Sequence, residues 1–165
     1  MSKPLEDNAR KFVIEAIDDE FLEKNKATSF TLVVDWLETD EDSEKKLAYK
    51  EFDNGDIQIL LISKLTEAGK RTSVKEKITE ETYNELLNSS VLHLEKKRHE
   101  FEYSQNNTSF SIKFDEFTEG ELYILEVDAP TEEERNAFNP NDFPAKLTEV
   151  TGDIRYYGYR IADML

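Results

Sequence analysis

Two charged pairs stand at strand spacing between residues 92 and 128: Lys96 with Arg98, and Glu126 with Asp128. Along a strand, residues i and i+2 share a face about 6.6 Å apart. Each pair therefore projects two like charges to one side, and the two runs read as neighbouring strands. Cations clamp anionic oxygens, and carboxylates hold a hard divalent ion. Together they suit a phosphorylated ligand and its metal. The same residues also fit two solvated strand faces joined by salt bridges. His93 and His99 share the opposite face of the first run. With no third ligand they read as surface or packing residues, and His99-Glu100 lacks the second His of a zinc-protease helix.

The elements that must position these pairs follow from turn signals and periodicity. Gln105-Asn106-Asn107 and Glu119-Gly120 divide residues 92–128 into three strands. Upstream, residues 11–16, 28–38, 45–52, 56–64 and 71–78 read as strands, and Asn54-Gly55 marks a hairpin. Residues 39–44 read as a polar loop and 67–70 as a turn. A short helix fits residues 17–26, with Ile17, Phe21 and Leu22 on one face. Thr79 and Thr131 each precede a run of acids and so read as helix N-caps. Residues 151–165 place Ile154, Tyr157 and Ile161 at helical spacing, and Tyr156, Tyr157 and Tyr159 read as packing residues. The expectation is an α+β fold with about eight antiparallel strands. Lys50, Lys64, Arg71, Lys75, Lys96 and Arg98 share strand faces with apolar or small residues. A sandwich would bury these cations in a dry core, whereas a wet β-barrel lets them line its interior.

The whole chain sets the boundaries. Its 165 residues suit one domain, 1–165, with a sizeable core. Asp plus Glu number 37 against 21 Lys plus Arg, a net charge of -16, which opposes nucleic-acid binding but not a small anion in a basic cavity. No apolar run reaches the roughly 18 residues of a membrane span, so no membrane partner is expected. There is no cysteine, hence no disulfide framework and no thiolate metal site. A cytoplasmic protein is expected.

The order and spacing of these runs resemble the CYTH superfamily. This triphosphate tunnel family includes thiamine triphosphatases, inorganic triphosphatases and class IV adenylate cyclases. Leu94-Glu95-Lys96-Lys97-Arg98 resembles its apolar-x-Lys-x-Arg strand. Residues 110–117, FSIKFDEF, resemble its Asp-x-Phe strand through Asp115 and Phe117. Residues 122–128, LYILEVD, resemble its Leu-x-x-x-Glu-x-Glu strand, with Asp128 as the second acid. Residues 149–157, EVTGDIRYY, resemble its closing segment. The N-terminal half departs further. Ser63-Lys64 stands for Thr-x-Lys, and Lys50 alone is kept from Arg-x-Arg. Arg71 opens a segment in which Ser73 and Lys75 replace two acids. Asp7-Asn8-Ala9-Arg10-Lys11 retains little of Glu-x-Glu-x-Lys beyond Lys11.

The resemblance implies an eight-stranded antiparallel tunnel with helices packed outside. Lys11, Lys50, Lys64, Arg71, Lys96 and Arg98 would bind a triphosphate. Glu126 and Asp128, with Asp7 a weaker third, would hold Mg²⁺ or Mn²⁺. Asp115 reads as a structural hydrogen-bonding acid. A cation at Lys75 would repel a metal and take over its charge. Two functions fit: a divergent triphosphatase acting on inorganic, nucleoside or thiamine triphosphate, or a non-catalytic polyphosphate- or nucleotide-binding or interaction protein on the same scaffold. Cyclisation of ATP fits less well, because no adenine-reading motif is present.

Overall fold

Positive backbone angles at three reversals set the strand register. Ala68-Gly69 (φ 50° and 76°) and Asn106-Asn107 (φ 47° and 66°) are two-residue turns of the kind that matches strand twist. Asp53-Asn54-Gly55 is a three-residue reversal closed by Phe52 and Asp56, with Gly55 at φ 91°. The computed structural model describes residues 9–117 and 122–164, and the backbone of Leu5–Glu6. Asp7 and the expected Glu119-Gly120 turn lie outside the described residues.

In chain order the elements are β1 (Leu5–Glu6), β2 (Arg10–Ile14), α1 (Asp19–Lys24), β3 (Thr28–Thr39), β4 (Ser43–Phe52), β5 (Ile57–Glu67) and β6 (Lys70–Lys77). Then come α2 (Glu80–Leu87), β7 (Leu92–Gln105), β8 (Thr108–Phe117), β9 (Tyr123–Asp128), α3 (Glu132–Ala137), β10 (Leu147–Glu149) and α4 (Gly158–Met164). The expected caps are present, with Thr79 accepting from Thr82 N and Thr131 from Glu134 N; Asp18, a cap the sequence reading did not include, accepts from Phe21 N. The expected final helix is shorter than its periodicity suggests. A 3-10 turn at Ile154–Tyr156 precedes α4, and Gly152 at φ 76° turns the chain ahead of both.

The chain forms two compact units. The first comprises Thr31–Glu95 and Arg155–Leu165 with β1, and its strand order is β1-β6-β5-β4-β3. The second comprises Ala9–Phe30 and Lys96–Ile154, and its strand order is β7-β8-β9-β2-β10. Eight strands have five or more residues, as expected. The two further strands, β1 and β10, have two and three residues and are too short to show an alternation pattern. Among the described residues, β1 pairs with β6 and β10 pairs with β2, each on one side only. Hydrogen bonding therefore leaves the sheet open, and the expected closed barrel is not made by backbone pairing.

Alternation along the strands builds the second unit's core. Phe12, Phe110, Phe114, Leu125 and Val127 are fully buried on one face of β2, β8 and β9. Phe138, following α3, packs on Phe12 and Phe110 at 5.6 and 5.3 Å between ring centroids. In the first unit, Leu47 and Trp36 are buried, and Tyr83 of α2 packs on Tyr49. Gly158 opens α4 hard against Trp36: a Cβ there would lie 3.0 Å from the indole. Burial of these large side chains supplies most of the driving force for each unit, about 1.5–3 kcal/mol apiece.

Candidate functional site

The register of the second unit arranges its polar face in rows. Arg98 stands opposite Asp115, and Lys113 stands between Glu100 and Glu126, which in turn faces Lys11. One row thus reads Glu100, Lys113, Glu126, Lys11, alternating in sign across four strands. These side chains point away from the Phe12, Phe114 and Leu125 core, because neighbours along a strand project to opposite faces. Arg98 donates from Nε and Nη2 to both oxygens of Asp115, at 2.7 and 2.8 Å, and Lys96 Nζ lies 2.9 Å from Asp115 Oδ2. Lys11 Nζ lies 3.8 Å from Glu126 Oε1. The basic and acidic pairs are therefore not on adjacent strands, as the sequence suggested. β8 separates them and supplies the counter-charge from Asp115.

These contacts set the protonation states. Burial alone would raise the Asp115 pKa, but Arg98 and Lys96 hold it at about 2. Burial pushes Lys96 down to about 8, with Asp115 and Glu126 opposing and Arg98 assisting. Burial also works against the Arg98 cation, yet Asp115 overcomes it and raises that pKa. Glu126 is held well below the ordinary carboxylate range against its burial, by Lys11, Arg98, Lys113 and Lys96. Asp128 accepts from Ala129 N at 2.8 Å and lies 3.6 Å from Arg135.

The first unit carries a different charged face. On β4, β5 and β6 one side of the sheet holds Lys46, Lys50, Lys64, Arg71, Lys75 and Lys77 against a single carboxylate, Glu44. Glu44 is only 5% exposed. It accepts from Arg71, from Lys46 at 3.0 Å and from Trp36 Nε1 at 3.2 Å. Its burial alone would raise its pKa; Lys46, Lys64 and Arg71 bring it to about 2. Arg71 also lies over the Tyr157 ring, 5.3 Å from its centroid. From Glu44 and Ser73, both buried, the face opens to exposed Lys75 and Lys77.

The six expected cations thus divide three and three: Lys50, Lys64 and Arg71 share the first unit's face, and Lys11, Lys96 and Arg98 share the second's. Three participants escaped the sequence reading. The sequence pattern puts Glu44 in a polar loop, whereas β4 begins one residue before it. Lys46 follows it at i+2, and Lys113 precedes Asp115 at i+2, the spacing that singled out the other pairs. The histidines are tied into local polar contacts. His99 is buried, with Nδ1 2.6 Å from Ser29 Oγ and Nε2 2.9 Å from Glu116. His93 Nδ1 lies 2.9 Å from Asp35, which also accepts from Ser90.

No family model matches the sequence, and no curated protein matches it. Solved structures do match. The structure described as the inorganic triphosphatase NE1496 superposes with a TM-score of 0.61 at 20% identity, covering 94% of this chain and 97% of that one. Another, described as the hypothetical protein NE1496, gives 0.59 at 21% identity over 97% of each chain. The chain has a CYTH-like fold. This agrees with the resemblance carried by the Lys96, Asp115 and Glu126 strands and extends over nearly the full length.

A CYTH-like fold raises the question of a divalent ion, and the donors answer it. Among the described residues, no three His, Asp or Glu side chains converge to hold a metal. Asp115 is neutralised by Arg98 and Lys96, and Glu44 by Arg71 and Lys46. On β6, Ser73 and Lys75 occupy the face where the resemblance implied acids. Hard cations require carboxylates whose charge is not already matched, and among the described residues Asp115 and Glu44 do not meet that condition.

Proposed function

We propose that the chain binds a linear triphosphate, inorganic or attached to an organic group, through the first unit's basic face. One observation carries this reading: in a chain of net charge -16, six cations face a single buried carboxylate on three adjacent strands. Charge-assisted hydrogen bonds from several ammonium groups and a guanidinium suit the many oxygens of such an anion. Lys50, Lys64 and Arg71, joined by Lys46 and Lys75, are its ligands. Glu44 fixes Arg71 and Lys46 in place before the anion arrives, which reduces the ordering that binding requires. Lys11, Lys96 and Arg98 lie on a face whose charges are balanced internally, and their part is to shape and support the second unit. No helix among the described residues is long and apolar enough to cross a membrane. A cytoplasmic setting belongs to this proposal, since oligophosphates are metabolites of that compartment and the chain has no cysteine.

Calorimetric titration with inorganic triphosphate, ATP and thiamine triphosphate, with orthophosphate as the control, tests the reading. Binding of at least one triphosphate, weakened in Lys50→Ala and Lys64→Ala, is expected; no binding of any of them sinks it. A second reading, hydrolysis of the bound anion, is favoured by the likeness to a structure described as an inorganic triphosphatase. Phosphate release, measured with and without Mg²⁺ or Mn²⁺, separates the hydrolase from the binding protein.

A further inference from the structure

Among the described residues of β4, β5 and β6, the basic face has one carboxylate, and that carboxylate is buried and already accepts from Arg71, Lys46 and Trp36. A divalent ion entering there would displace these partners and meet the repulsion of the surrounding lysines. Exposed Lys75, on β6, projects a cation to the same side as Ser73, Arg71 and Lys77. Among the described residues the second unit offers no better seat. Lys113 stands between Glu100 and Glu126, where an ion bridging the two would have to lie. Asp115 is engaged on both oxygens.

We infer that the chain takes its oligophosphate as the free anion, with Lys46, Lys64, Arg71 and Lys75 supplying the neutralisation that a divalent ion would otherwise bring. This rests on the binding reading above and specifies the form of the ligand. Mg²⁺ in solution then competes with the protein for the anion, because an Mg²⁺-bound triphosphate has fewer uncompensated oxygens to present to ammonium groups. Recognition by point charges also makes affinity fall steeply with ionic strength.

The test is calorimetric titration of the intact chain with inorganic triphosphate, once in EDTA and once in several millimolar Mg²⁺. Affinity in EDTA equal to or tighter than that in Mg²⁺ is expected. Affinity tenfold or more tighter in Mg²⁺ would overturn the inference while leaving the binding reading intact. Absence of binding in both buffers overturns the binding reading, and this inference with it. Mn²⁺ alone serves as a second probe. Its electron paramagnetic resonance signal should be unchanged by equimolar protein, and loss of that signal to a site on the apo chain would count against the proposal. Lys75→Glu, on the exposed part of the face, should bind triphosphate more weakly in EDTA and regain affinity when Mg²⁺ is added. If it binds as tightly as the unaltered chain in EDTA, Lys75 has no part in neutralising the anion and the inference fails.

Discussion

The two charged faces of this molecule treat charge in opposite ways. In the second unit, cations and acids alternate across β7, β8, β9 and β2, and Arg98 and Lys96 are both committed to Asp115. In the first unit, one side of β4, β5 and β6 carries six cations and, among the described residues of those strands, one carboxylate. An internally balanced face contributes to stability and has little charge to offer a ligand. A face with surplus positive charge destabilises itself slightly and gains when an anion arrives. The sum over the chain conceals this difference, because acids elsewhere dominate the net charge of -16.

The sharpest way to break the comparison is Asp115→Asn. It leaves Arg98 and Lys96, whose side chains are 13% and 11% exposed, without their counter-charge. Removing one partner of a buried pair costs about 3–5 kcal/mol, read as a lower midpoint in urea unfolding at pH 7. A loss below about 1 kcal/mol would mean that the second face is not a stability element.

Glu44→Gln comes next, at a loss on the order of 3 kcal/mol near neutral pH, from the depression of its pKa to about 2. The sign follows from that depression: the contribution is present above the unfolded-state value of 4.5 and is lost as pH falls from there towards 2. Urea midpoints measured from pH 6 down to pH 2.5 should therefore drop more in the unaltered chain than in Glu44→Gln. Parallel curves would contradict the assignment.

On the binding side, Lys50→Ala and Lys75→Ala should each weaken triphosphate binding about tenfold, the scale of one charge-assisted hydrogen bond. Unfolding midpoints should change little. Lys113→Ala in the second unit should shift affinity by less than about threefold, since its charge is matched by Glu100 and Glu126. Equal losses from both faces would erase the distinction drawn between them.

The smallest effect concerns Lys96. Its folded-state pKa of about 8 lies below the ordinary 10.5, so the unfolded chain binds more protons between those values and stability rises with pH across that window. Relative to Lys96→Met, the unaltered chain should gain about 1 kcal/mol between pH 8 and pH 9, measured by urea unfolding at both pH values. A relative loss over that interval would show that the amine is not desolvated.

Much of this architecture was legible in local chemistry. Asn106-Asn107 and Asn54-Gly55 tolerate left-handed backbone, so their turns could be read directly. Thr79 and Thr131 cap helices through their own hydroxyls, a contact spanning three residues. Strand alternation placed Lys96 with Arg98 and Glu126 with Asp128 on common faces, because period two is a property of the backbone. The short edge strands β1 and β10 were not legible, since two or three residues cannot display a period.

What the amino-acid sequence determined by itself was thus the eight longer strands, most of their turns, the caps at Thr79 and Thr131, and the side of each strand on which its charges lie. Only the tertiary structure decided which charges meet. The placement of β8 between β7 and β9 gave Arg98 its acid and put Lys113 between two glutamates. The packing of Trp36, Arg71 and Lys46 turned Glu44 from a loop acid into the buried anchor of a basic face. The physical reason is range. Alternation, capping and turn geometry act over a few residues of chain, whereas Coulomb pairing acts through space and depends on strand order, which no local pattern encodes.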